Sequence, residues 1–258
     1  MLTYQELKSN YGTTPVVSPK NILVEYLQHE LLDSLFKQKG SEFLSFIGGT
    51  AIRVCYKGNR FSEDLDFDNF GLSYEAFQKI LGEVVKDMEK KGFLTEFRFS
   101  EAGAFHCFIK FPKILAENGV SGHTEEKILI RIDTVKKEKL FRPDVYTIST
   151  FDLYRDILVS PPSIILSQKL ITIIERKREK GRDFYDTSFL YGRTEPDFSY
   201  IEKMTGTGKK EFIEKLFARC KTLDFHVLAH DVEPFLINPE DSKRVITFQH
   251  FIEQKLAL

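Results

Sequence analysis

Apolar residues recur at helical spacing over residues 21–39, where Ile22, Leu23, Tyr26, Leu27, Leu31, Leu32 and Leu35 share a side and Gly40 closes the run. That spacing predicts a helix. A short apolar run over 43–47 breaks at Gly48-Gly49, which predicts a strand feeding a turn. A helix over 50–56 is expected next, ended by Gly58-Asn59, and then a second strand over 62–67. Residues 74–91 return to a helical period, with Phe77, Ile80, Leu81, Val84, Val85 and Met88 inward. Strands are expected near 94–99 and 106–111, and the alternation of KILIRIDTV over 127–135 predicts another. Residues 140–161 read as mixed, interrupted by Pro143 and the pair Pro161-Pro162. Beyond Pro162 strand signals fade, and helices are expected over 163–180, 184–191, 200–204, 211–217 and 245–256. The start, through about Pro19, reads as a loop with one short helical turn. The pattern therefore predicts an α/β fold in two lobes. Residues 1–160 would form an α/β lobe around a small mixed sheet, and residues 161–258 a mainly helical lobe.

Composition narrows the setting. Of the 258 residues, 42% are apolar and 29% charged, as expected of a globular chain with a core of its own. The net charge of −1 advertises no global attraction to nucleic acid. Cys55, Cys107 and Cys220 are odd in number and far apart, so neither a disulfide framework nor a zinc ribbon is expected, and a reducing cytoplasm is the natural setting. The first residues show no basic segment followed by an apolar core, so no secretory leader is expected. No apolar run reaches membrane-spanning length, and no membrane partner is expected.

The chemistry concentrates in residues 46–70. Gly48 and Gly49 remove side chains where phosphates could approach, and a helix opening near Thr50 would present free N–H groups and a hydroxyl. Arg53 and Arg60 are near enough in sequence to clamp phosphate. Asp64 and Asp66 flank a single leucine, so on a strand both carboxylates face one side. Two such carboxylates can share Mg²⁺, or Mn²⁺ in its place. A lone DxD is usually a surface feature and a lone Gly-Gly usually a turn. Strand, GGT, helix and carboxylate strand in sequence point instead to nucleotidyl transfer. Asp68 has the parity of Asp64 and Asp66 but reads as a strand-end residue.

This segment resembles the polymerase-β-like nucleotidyltransferase signature, with Gly49-Thr50 followed after a spacer by Asp64-Leu65-Asp66-Phe67. Within that superfamily, GGTAIR together with RFSEDLDF resembles the AbiEii/AbiGii toxin family, which includes the MenT-type nucleotidyltransferase toxins. The resemblance implies a polymerase-β-like catalytic lobe, metal binding by Asp64 and Asp66, and a nucleotide-binding set that includes Gly48, Gly49, Thr50, Arg60 and Ser62. It also implies a third acid on a later strand. Asp133, ending a strongly apolar strand, is the best candidate for metal binding and for help in deprotonating the nucleophile; Glu126 is a weaker substitute.

A second signature lies in the helical lobe. Lys169 interrupts an apolar stripe, so it either snorkels or reaches into a cleft. Lys169-Leu170, Arg176 and Arg182-Asp183-Phe184-Tyr185-Asp186 resemble, in order, the family's K-L…R…R-D-x-Y-D pattern. By that resemblance Lys169 contacts nucleotide phosphate, Asp186 helps build the active site, and Arg182 and Asp183 belong to the nucleotide site. Asp183 is alternatively a helix cap or the ion-pair partner of Arg182. The charged run Arg176–Lys180 is either a solvated helix end or a phosphate contact.

The family further implies NTP as co-substrate, a growth-inhibiting role in a toxin–antitoxin pair with a cognate antitoxin, and, for its MenT-like members, the 3′ end of tRNA as acceptor. Transfer to a protein or small molecule, and a non-catalytic nucleotide-binding regulator, are the rival readings. Residues 206–210 suggest a phosphate loop but lack its upstream glycine and following hydroxyl, so a plain loop is expected. His226 and His230 lack the glutamate of a zinc protease helix. His106-Cys107 shows no orienting acid, and basic residues interleaved with aromatics outline no RNA platform.

Overall fold

The computed structural model describes residues 1–11 and 18–256; the part of the expected N-terminal loop over 12–17 lies outside them. In chain order the elements are α1 (Tyr4–Ser9), α2 (Pro19–Phe36), β1 (Leu44–Ile47), α3 (Gly48–Tyr56), β2 (Leu65–Asn69), α4 (Tyr74–Lys90), β3 (Glu96–Glu101), β4 (Phe105–Pro112), α5 (Ile114–Glu117), β5 (Lys127–Lys136), β6 (Asp144–Ile148) and β7 (Arg155–Val159). Helices α6 (Pro162–Glu175), α7 (Gly181–Tyr191), α8 (Phe198–Thr205), α9 (Lys209–Cys220), α10 (Phe225–Val232), α11 (Lys243–Ile246) and α12 (Phe248–Leu256) follow. The expected α/β class is the one observed. No helix among the described residues is long and apolar enough to cross a membrane.

The chain divides into two compact units. One comprises Met1–Cys55 and Phe61–Ser160; the other comprises Pro161–Leu258 together with Tyr56–Arg60. The first unit is built on a seven-stranded sheet in the order β3-β4-β5-β2-β1-β7-β6. Its centre is mixed: β2 runs parallel to β5 and β1 parallel to β7, while β1 and β2 are antiparallel. Alternate residues of β5, namely Ile128, Ile130, Ile132 and Thr134, are buried, and those between them lie on a more open face. Helix α4 buries Phe77, Ile80, Leu81, Val84, Val85 and Met88, the stripe its periodicity predicts. Helix α2 is buried all round, from Ile22 to Leu35, so its polar residues must be paired. Its Asp33 receives Lys37, Lys91 and Arg155.

Residues 140–161 hold two strands, β6 and β7, rather than the mixed segment expected. β6 is an edge strand with exposed residues such as Val145, so burial imposes little alternation on it. The helix expected to run to residue 180 stops at Glu175, where Arg176 turns extended. Arg176–Lys180 has no apolar position to continue the buried stripe, and a helix in water needs one.

In the second unit α7 is buried along nearly its whole length. At Gly181 a Cβ would sit 1.8 Å from the Leu228 carbonyl oxygen, so α7 can meet α10 only through a glycine. Phe184, Phe225 and Phe248 form an aromatic cluster beside that contact. Tyr56–Arg60 is tied in by the bridge of Arg60 to Leu236 and by the Ile237 amide donating to the Asn59 carbonyl at 3.2 Å.

Candidate active site

β1 ends at Ile47, which lies opposite Asp66 of β2. The chain turns at Gly48 with φ +78°, a left-handed conformation that side chains disfavour. A second constraint acts there: a Cβ on Gly48 would lie 2.6 Å from Asp66 Oδ2. Helix α3 begins at the glycines themselves, so its first amides, which have no partner within the helix, belong to the turn against which the Asp66 carboxylate is pressed. The buried Thr50 hydroxyl donates to the Asp64 carbonyl and fixes the entry of β2 against α3. β2 starts three residues later than expected, at Leu65, so Asp64 stands at the lip of the strand and Asp66 on it.

The parallel register of β2 with β5 sets Asp66 directly opposite Asp133. Both therefore project from one face of the sheet, and Asp64 shares that parity. Arg131, two residues before Asp133, joins the flanking carboxylates. Its Nη2 lies 3.1 Å from Asp64 Oδ2 and its Nε 2.7 Å from Asp133 Oδ2. On the other side His106 of β4 is paired with Asp133 in register, with Nδ1 2.7 Å from Oδ1. Since a carboxylate only accepts, Nδ1 carries the proton. Burial pushes the Asp64 carboxyl above its ordinary range; Arg131 opposes this, and Asp133 and Glu63 add to it. Asp68 is fully buried and paired with Lys137 at 2.9 Å, a structural role within β2. Glu126 precedes β5 and pairs with Lys20 at 2.9 Å.

His106 does have an orienting acid, contrary to expectation, because Asp133 reaches it across the strand pair from 27 residues away. The neighbouring Cys107 is buried, and burial pushes its thiol up to about 12, so it remains an inert core residue. Arg131 was legible as a same-parity neighbour of Asp133; His106 was not, since only the register reveals it.

The donor set suits a hard divalent cation, since Asp64, Asp66 and Asp133 offer carboxylate oxygens only. One guanidinium already reaches both Asp64 and Asp133, so a single positive charge can address the two. Among the described residues no three acidic, histidine or cysteine side chains converge as a ready cage. A cleft of about 410 Å³ opens beside Asp64, lined also by Lys20, Phe108, Lys127 and Arg131.

Arg60, Lys169, Arg182, Asp183 and Asp186 all lie in the second unit. Arg60 grips Asp186 with two hydrogen bonds, Nε to Oδ1 and Nη2 to Oδ2, each 2.6 Å. Lys169 Nζ lies 2.8 Å from Asp186 Oδ2 and 3.0 Å from Asp183 Oδ1, and Arg176 Nη1 lies 2.7 Å from Asp183 Oδ2. The lysine in the apolar stripe is thus an ion-pair partner of α7. Burial opposes the charge on Asp186, but Arg60 and Lys169 outweigh it and hold the carboxyl below its ordinary range. Burial likewise opposes the charge on Lys169, and Asp186 and Asp183 outweigh it, raising the ammonium above its usual range. Arg182 sets its guanidinium 4.7 Å from the centre of the Phe235 ring. In the first unit Arg53 pairs with Glu25 at 3.0 Å, and the Ser62 carbonyl accepts from Gln28 at 3.0 Å.

Solved structures share this fold, among them the following two. JHP933 from Helicobacter pylori aligns over 94% of this chain and 95% of its own, with a TM-score of 0.58 and 18% identity. MenT4, a nucleotidyltransferase toxin from Mycobacterium tuberculosis H37Rv, aligns over 100% of this chain and 94% of its own, with a TM-score of 0.63 and 16% identity. No curated protein sequence is significantly similar. The sequence profile of the nucleotidyl transferase AbiEii toxin, type IV toxin–antitoxin system, matches residues 30–248 and so takes in both the GGT turn with its carboxylate strands and the α6–α7 ion cluster. The chain belongs to the AbiEii nucleotidyltransferase toxin family.

Proposed function

We propose that this toxin transfers a nucleoside monophosphate from an NTP to the 3′ end of tRNA in a Mg²⁺-dependent reaction, thereby blocking translation. The observation that carries the site is the seat of Asp66, directly opposite Asp133 and pressed against Gly48. In this reading Asp64 and Asp66 hold the metal and Asp133 assists. A bound Mg²⁺ supplies charge neutralisation on the triphosphate and the departing pyrophosphate. The α3 amides at Gly48 and Gly49 and the N-terminal dipole of that helix receive the phosphates. The acceptor hydroxyl attacks the α-phosphorus, the new O–P bond forms as the bond to pyrophosphate breaks, and Asp133 takes the hydroxyl proton. His106, donating to Asp133 Oδ1, and Arg131, ion-paired with Oδ2, hold that carboxylate in place for the transfer.

The fold similarity to a nucleotidyltransferase toxin from M. tuberculosis supports the reaction class. The acceptor rests on the family resemblance. The test supplies purified protein with Mg²⁺, each labelled NTP in turn, and total tRNA or total protein. Label is expected in tRNA, and Asp66→Asn is expected to reduce it by about a thousandfold, the scale of losing a group that stabilises transition-state charge. Label in protein with none in tRNA would replace the acceptor; NTP binding with no transfer to any acceptor would remove the catalytic reading.

A further inference from the structure

The cross-strand register lines up a row of side chains that no stretch of sequence shows together. Arg98 of β3 lies opposite Phe108 of β4, and Phe108 lies opposite Arg131 of β5. Arg131 in turn is ion-paired with Asp64. At the usual strand spacing this row runs about 14 Å, from the β3 edge of the sheet to the carboxylates. It lies on the more open face, where Leu129 and Val135 are also exposed. The Arg98 guanidinium sits 4.1 Å from the centre of the Phe108 ring. Arg98 is exposed and Phe108 half-buried, so the pair is a charged aromatic surface at the rim of the cleft beside Asp64.

Lys20 and Lys127 line the same cleft. Their partners, Glu126 and Glu96, are solvent-exposed ion pairs, which cost little to exchange for a phosphate. A protein with net charge −1 thus sets Lys20, Lys127 and Arg131 in one cleft with Phe108, Glu63 and Asp64, and places Arg98 over the Phe108 ring. Cations interleaved with a stacking aromatic are what single-stranded nucleic acid requires: bases stack on aromatic rings and guanidinium planes while the backbone follows positive charge. A peptide acceptor would need neither in this order.

We propose that the open face of β3, β4 and β5, centred on the Arg98–Phe108 stack, is the platform on which the single-stranded end of a polynucleotide acceptor lies on its way to Asp64. This rests on the nucleotidyltransferase reading with a nucleic-acid acceptor and adds where that acceptor is held.

The test measures anisotropy of a short fluorescein-labelled single-stranded RNA with a free 3′ hydroxyl, together with acceptor KM and NTP Kd. Arg98→Ala and Phe108→Ala are each expected to raise the RNA Kd and the acceptor KM about tenfold, the scale of one lost base stack. Phe108→Tyr is expected to restore both, and NTP Kd is expected to stay constant throughout. Arg98 is exposed, so Arg98→Ala carries the test even if Phe108→Ala fails to fold. Wild-type protein that labels RNA, with Arg98→Ala binding and labelling it equally well, overturns the platform and leaves the reaction standing. Wild-type protein that neither binds nor labels RNA but labels protein overturns the platform and the acceptor together.

Discussion

Gly48 is held by two independent constraints, its positive φ and the Asp66 oxygen that a Cβ would meet at 2.6 Å. Either one disfavours a side chain, and together they tie the phosphate turn to the carboxylate strand. Gly48→Ala is expected to destabilise the protein by about 1–3 kcal/mol through backbone strain alone. It is also expected to displace Asp66, so activity should fall further than stability does; denaturant unfolding read beside transfer rates separates the two. Asp186 is constrained differently, by charge. Asp186→Asn leaves Arg60 and Lys169 buried without their shared counter-charge and is expected to cost about 3–5 kcal/mol. Because the Asp186 carboxyl is held below its ordinary range, its contribution is present above that range and is lost as pH falls through the lowered value. Thermal unfolding of wild type and variant should therefore converge in strong acid.

At the scale of elements, the α2–α4–β7 contact depends on Asp33, which draws Lys37, Lys91 and Arg155 onto one carboxylate. Burial alone would raise the Asp33 carboxyl, but the three cations overrule it and hold it at about 2. Asp33→Asn is expected to lose about 2 kcal/mol at neutral pH, the linkage value of a carboxyl held at about 2 in the folded protein and at about 4 in the unfolded chain. That difference is complete above about pH 4, the ordinary aspartate range, and should vanish as pH falls toward 2. Urea titrations of both proteins across this window check it. Elements with one buried face, such as α4 and β5, were legible in the sequence because burial writes a period into it. Edge strand β6 was not, nor was α10, whose eight residues are too few to establish a period. The candidate site divides in the same way. Gly48, Asp64 and Asp66 are neighbours in the chain and could be read together, whereas the pairing of Asp133 with His106, and of Arg98 with Phe108, exists only once the register is known. Burial of Asp186 beneath Arg60 was likewise invisible, since 126 residues separate them.

For the whole molecule, membership of a toxin family gives a cellular readout. Induced expression of the wild type is expected to arrest growth, and Asp66→Asn and Gly48→Ala are expected to relieve the arrest at equal protein level; colony counts and immunoblots decide it. The second unit is discontinuous, for it takes in Tyr56–Arg60. A fragment of residues 161–258 lacks the arginine that neutralises Asp186, and circular dichroism is expected to show it less ordered than the same region in the full chain. The discontinuity also bears on how the cell makes such a poison. Translation delivers the arginine 126 positions ahead of the acid that seats it, so the second unit closes around Arg60 only after α7 has been made.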